Sequence, residues 1–246
     1  MEKEEGFQLE KNVFWDLIQI RYGKTLSRLP ETCSCGVRYD LQHALSCKKG
    51  GFVTLRHNIV RNITAELLSE VCKDVQVEPP LQTVTGEVMS DGSNTSDEAR
   101  LDISARGFWI PYQKAFFDVW VFNPLAGRYG NISIQKAHEI NEKEKKKTYN
   151  ERVLKIEHGS FTPLVFCLNG GKGRECSKFY QRLCQMISDK RGIKYSVTMN
   201  WLNRKLSFAL NLCIIMCIRG SRTTRDPQSS NDIDIAEAIC TNYTNT

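Results

Sequence analysis

Apolar residues recur along this chain at two periods, and the changes from one to the other mark out its elements. From Val53 to Cys72 the residues Val53, Ile59, Val60, Ile63, Leu67, Leu68 and Val71 return every three or four positions, as on a helix with one buried face. Val13 to Tyr22 spaces Val13, Phe14, Leu17, Ile18 and Ile20 in the same way and predicts an opening helix, with Pro30 barring continuation. The period then falls to two. Val75 to Glu78 reads as a short strand closed by Pro79-Pro80, and Arg100 to Ala105 alternates Leu101 and Ile103 against Asp102 and Ser104. Ala115 to Phe122 is a β-branched and aromatic run ended by Asn123-Pro124, and the GFWIPYQ connection can join it to the preceding strand as a hairpin. The polar stretch Ser90 to Glu98 is a loop.

Ile134 to Glu157 is charged and free of Gly and Pro, which suits a long helix with one solvated face. Thr162 to Leu168 follows as a buried strand closed by Asn169-Gly170-Gly171, and the helices Glu175 to Lys190 and Val197 to Ile218 are expected to cover the sheet. The order is helix, strand, strand, strand, helix, strand, an α/β arrangement with helices added at its C-terminal end. Three parts are expected: residues 1–50 with the opening helix and a Cys/His element, 51–220 as the main domain, and a disordered Ser-, Thr- and Asp-rich tail over 221–246.

With 246 residues, of which 41% are hydrophobic and 25% charged, the chain can bury one substantial core plus a small appendage. A net charge of +6 permits a nucleic-acid partner without requiring one. Met1 to Glu10 is mostly acidic, basic and polar, without the apolar region that follows the charged start of a secretory signal, so the expected location is inside the cell, nucleus or cytoplasm. The longest apolar stretch, Leu206 to Ile218, is interrupted by Ser207 and Asn211; it is too short to span a bilayer and is expected to be a buried helix away from any membrane. Cys72, Cys167, Cys184, Cys213 and Cys217 stand singly in apolar patterns and read as buried thiols.

Cys33, Cys35, His43 and Cys47 cluster. Their spacing, C-x-C-x7-H-x3-C, supplies three thiolates and an imidazole, a complete set for tetrahedral structural zinc. Residues 29–50 hold few large apolar side chains, so a metal would provide folding energy that burial cannot. The gap between the first two cysteines is tighter than usual for such sites, and four residues gathered near a turn is the competing reading.

Asp102 and Asp118 lie on neighbouring expected strands in apolar surroundings, where a carboxylate needs a partner. A divalent cation such as Mg²⁺, which favours a pair of carboxylates with waters and phosphate oxygens, is one such partner; Arg100 or Arg106, or a turn, is the other.

The ordered segments CSCG, HALSCKKGGF, LRHN, VEPPLQ, EARLDISARGFW, AFFDVWVFNP, EKEKKKTYNERV, EHGSFTPLVF and CIRGSR resemble the zinc-knuckle and restriction-like endonuclease region that follows the reverse transcriptase in site-specific non-LTR retrotransposons. The resemblance spans about residues 10–222. It implies a restriction-endonuclease-like core of PD-(D/E)XK type, αβββαβ in order. The two metal-binding acids carry over to Asp102 and Asp118, with Leu101 where the family has proline. Trp120 stands two residues beyond Asp118, on the same strand face, where a restriction enzyme places its lysine. In these elements the lysine is implied to lie on the next helix in a K-x-x-x-Y motif, matched by Lys145 and Tyr149; without the resemblance, Lys143, Lys145, Lys146 and Lys147 read as a solvated charge run.

Arg56-His57-Asn58 matches the family's R/K-H-N motif and is implied to contact DNA phosphates or position the active site, with helix capping as the plainer alternative. Glu66 and Glu78 are secondary candidates for a third acid. The function implied is Mg²⁺-dependent cleavage or nicking of a DNA phosphodiester, with DNA, and element RNA as a further partner. Two other readings stand beside it: a catalytically inactive or domesticated DNA-binding remnant, and a zinc-dependent protein-interaction module.

Overall fold

The structure, a computed structural model, describes residues 9–220, so the tail expected over 221–246 lies outside the described residues. The elements are α1 (Lys11–Arg21), α2 (Leu41–Ser46), α3 (Phe52–Val71), β1 (Lys73–Val77), β2 (Ile103–Arg106), β3 (Lys114–Phe122), α4 (Ile134–Lys155), β4 (Ser160–Cys167), α5 (Arg174–Arg191) and α6 (Tyr195–Arg219). Mixed α/β architecture with a four-stranded sheet is therefore present, in the strand order β1-β2-β3-β4. β1 to β3 form an antiparallel meander, whereas β3 and β4 run parallel and are joined through α4. A parallel pair needs such a long crossover, because a two-residue turn can only reverse the chain. Pro163 is accommodated because β4 is an edge strand.

Among the described residues two compact units are distinguished, one of residues 60–203 and the other of 9–59 with 204–220. In the first, alternation along β3 sorts its side chains between two faces. Phe116 packs with Leu81, Leu101, Val153 and Phe161, and Phe122 packs with Tyr129, Ala137 and Val165, so the even-numbered residues face α4. The odd-numbered face meets α5, where Phe179 lies against Phe117 at 4.9 Å and stacks on Phe108 at 4.7 Å between ring centroids. Behind α5, the Tyr180 hydroxyl shares a 2.7 Å hydrogen bond with Thr64 of α3.

In the other unit, the end of α6 returns to the Cys/His element. The Tyr39 hydroxyl donates to the Ile218 carbonyl at 2.5 Å, while Arg219 forks onto Asp16 at 2.7 and 2.8 Å and donates to the Ser27 carbonyl at 2.9 Å. The CIRG segment is thus a clasp built from backbone carbonyls and one carboxylate. Leu206, Leu210, Cys213 and Cys217 are buried, as the apolar run required. The helix carrying them is longer than that run, however: at 25 residues, with a window of mean hydropathy 1.3 that is 61% buried within the protein, α6 is long and apolar enough to cross a membrane by length and composition. The helix expected over Val197 to Ile218 runs from Tyr195 to Arg219, and the apolar run Leu206 to Ile218 alone leaves out its first eleven residues.

Candidate functional site

The interface between α4 and the sheet is apolar at both ends and polar in the middle. Tyr149 joins the cluster around Phe116 and Val153 at one end, and Ala137 joins that around Phe122 at the other. Between them the sheet presents Asp118 and Trp120, and α4 presents Lys145. The Lys145 ammonium lies 2.8 Å from Asp118 Oδ2, with the carboxylate side chain 7% exposed and the lysine 22%. The same ammonium sits 4.8 Å from the centre of the Trp120 ring and 5.8 Å from that of Tyr149.

Asp102 falls just before β2 rather than within it, because the chain is drawn into a separate bridge between Arg100 and Pro80 and enters the ladder only at Ile103. That offset bends its carboxylate toward β3, where Oδ2 accepts from the Val119 backbone N–H at 2.6 Å. Residues 103 and 117 are direct partners, so the next position outward sets Asp102 beside Asp118. Sequence reasoning therefore named three side chains that the fold brings together: Asp102, Asp118 and Lys145.

Of the secondary acids, Glu78 adjoins Asp102 through its backbone N–H, which donates to the Asp102 carbonyl at 2.9 Å. Glu78 is ion-paired with Arg61, and Glu66 lies on the exposed face of α3. Arg56 is buried and donates to the Leu45 carbonyl at 2.7 Å, while His57 Nδ1 lies 3.3 Å from Asn58 Oδ1. These contacts make Arg56 a strut for the end of α2.

The remaining inward face of α4 buries His138, Asn141, Glu142 and Arg152, polar residues that a hydrophobic pattern does not single out. His138 packs edge-on against Phe122 at 4.9 Å, and burial pushes its imidazole pKa down. Asn141 accepts from the Tyr129 hydroxyl at 3.0 Å. Glu142 accepts the Glu175 backbone N–H at 2.9 Å, using its carboxylate to satisfy the first turn of α5; burial nonetheless raises its pKa. Arg152, fully buried, donates to the carbonyls of Gln82, Asn94 and Ser96 and so ties the loop before β2 to α4.

The Cys/His group is a second constellation. Cys33, Cys35, His43 and Cys47 place their ligand atoms all within 4.8 Å of one another. The short helix α2, which the hydrophobic pattern did not predict, brings this about: Asp40 caps it by accepting the His43 N–H at 2.7 Å, and Cys47 follows His43 by one turn. Sγ–Sγ separations of 3.8 and 3.9 Å and a Cys35 Sγ to His43 Nε2 separation of 3.4 Å match the edges of a tetrahedron around zinc, about 3.8 and 3.5 Å for ordinary Zn–S and Zn–N lengths. Burial opposes ionisation of Cys33, yet the Cys35 backbone N–H with His43 and the two other thiols brings its pKa to about 6. The group can bind zinc. The nine cysteines among the described residues are all free thiols.

No protein-family model matches the chain, and no curated protein matches it.

Proposed function

We propose that this chain is a metal-dependent DNA endonuclease module of retroelement origin, which cleaves or nicks a DNA phosphodiester at the notch between α4 and β3. The observation that carries this reading is the meeting of Lys145 with Asp118 at 2.8 Å, next to Asp102. A lysine from an otherwise solvated run is turned inward onto the one buried aspartate of the sheet, between two apolar clusters, and nothing in the packing of either cluster demands it.

Asp102 and Asp118, side by side at the β2–β3 register, offer hard oxygen donors of the kind that would hold a Mg²⁺ ion. Such an ion, when bound, offsets phosphate charge and makes water more acidic. The protein's own part is positional and electrostatic. Asp102 is fixed by the Val119 N–H, so its carboxylate is held without a further ordering cost. Lys145 orients the attacking water and places positive charge where negative charge gathers on the phosphate oxygens. The Cys/His group would hold zinc as an architectural element, since four protein ligands leave no position for substrate. The expected partners are DNA and element RNA, and the expected place of action is the nucleus or cytoplasm.

The test is nicking of supercoiled plasmid in Mg²⁺ or Mn²⁺. Asp118→Ala should lower the rate by about a hundredfold or more. Equal rates for wild type and Asp118→Ala would overturn the reading, and DNA retention without cleavage by the wild type would select the inactive DNA-binding remnant in its place.

A further inference from the structure

Trp120 is out of keeping with its surroundings. It lies in β3, whose neighbouring residues Val119, Val121 and Phe122 are buried, yet the residue is 38% exposed. Burying so large a ring is ordinarily the strongest apolar contribution a strand position can make. The helix above leaves it partly open and sets the Lys145 ammonium over the ring, 4.8 Å from its centre. Tyr149, one helical turn beyond Lys145, supplies a second ring at 5.8 Å. The cation thus has a carboxylate on one side and an aromatic face on each of two others.

An ammonium is compact, strongly hydrated and carried on a flexible stem, so an ion pair alone fixes its position poorly. An aromatic face attracts the cation without accepting a proton and excludes water from that side. We propose that Trp120 is a positioning residue, which with Tyr149 boxes the Lys145 ammonium and holds it against Asp118. The box itself follows from the contacts around Lys145; its importance to cleavage rests on the nuclease reading above. Trp120 touches Lys145 and acts through it.

Two measurements separate these levels. Competitive acetylation of the full chain, read by mass spectrometry, compares Lys145 with Lys143 and Lys147, both exposed on the same helix and serving as internal standards. In Trp120→Leu the labelling of Lys145 relative to the standards should rise roughly three- to tenfold, and Trp120→Phe should stay near wild type because it keeps a ring. Circular dichroism melting checks that both variants are folded, and Trp120→Phe supplies the comparison should the leucine variant melt early. In plasmid nicking, Trp120→Leu should lose about tenfold in kcat with little change in KM, and Trp120→Phe should recover most of it. Unchanged labelling in folded Trp120→Leu overturns the box, whatever the activity. Increased labelling with unaltered kcat overturns the positioning role. Absence of cleavage in the wild type counts against the nuclease, whereas the labelling ratio still decides the box.

Discussion

Arg152 offers the sharpest test of how the site is held. Its guanidinium is fully buried and donates through Nη1 to Asn94 O at 2.9 Å and Ser96 O at 2.8 Å, and through Nη2 to Gln82 O at 2.7 Å. Arg152→Met keeps much of the stem while removing the charge and every donor. Three loop carbonyls then lose a charged partner, each such bond being worth about 1.5–3 kcal/mol, with part recovered by water reaching the exposed loop. Removing the guanidinium also relieves the cost of keeping a cation out of solvent. The net loss should be about 3–5 kcal/mol, at the upper end of single substitutions.

Urea denaturation followed by circular dichroism measures it directly. With a slope of about 2 kcal/mol per molar, the midpoint should fall by roughly 1.5–2.5 M. Arg152→Lys should lose about half as much, since one ammonium cannot reproduce the planar fork that spans three carbonyls. Limited proteolysis of Arg152→Met should open first between Gln82 and Ser96. A midpoint within about 0.3 M of wild type, equivalent to about 0.5 kcal/mol, would refute the view that this one side chain ties the loop to α4.

Metal analysis of purified protein should find one zinc per chain bound through the Cys33 group, and Cys35→Ser or chelation should lower the melting temperature; an unmoved melting curve would sink the structural-zinc assignment. Gly159→Ala would bring a Cβ within 2.6 Å of the Lys114 carbonyl and 3.1 Å of the Phe116 ring, and should cost about 2–4 kcal/mol in a urea melt, since backbone must shift to admit it. Glu151 is held at a pKa of about 2, below its ordinary 4.5, first by Lys155 and then by the Ser90 N–H and Ser93 hydroxyl. Its ionised form is the one the fold prefers, so its contribution is complete above pH 4.5 and disappears as pH falls toward 2. Stability curves of wild type and Glu151→Gln should therefore converge across that window; parallel curves would show that Glu151 is not held in this way.

The elements with strong periodicity were legible to within about two residues, because α3, β3 and α5 are shaped by which face is buried. What escaped was set by polar contacts. α2 spans six residues and owes its existence to the Asp40 cap and the ligand group rather than to an apolar stripe. Asp102 read as mid-strand by alternation, but the Arg100–Pro80 bridge displaces it to the strand's edge, and no periodicity encodes that. Lys145 and its neighbours are equivalent as charges in the sequence. Only the phase of α4 against the sheet turns Lys145 inward, and that phase is fixed by Ala137 and Val153, two small anchors in a long charged helix.

That arrangement bears on why the helix is so polar inside. An α4 with a continuous apolar stripe would pack closely over β3 and bury Trp120, leaving the Asp118 carboxylate without the Lys145 ammonium as partner. Splitting the apolar contacts into two clusters leaves Asp118 and Lys145 between them, and stabilisation elsewhere along the same helix offsets the apolar contacts forgone there. Arg152 and Glu142 provide it, one by gathering loop carbonyls and the other by capping α5. Both are bonds to backbone, which hold neighbouring segments in place without filling the notch. The polar face of α4 thus carries the Asp118–Lys145 pair between its two apolar clusters, with Glu142 and Arg152 bonding to backbone on either side of it.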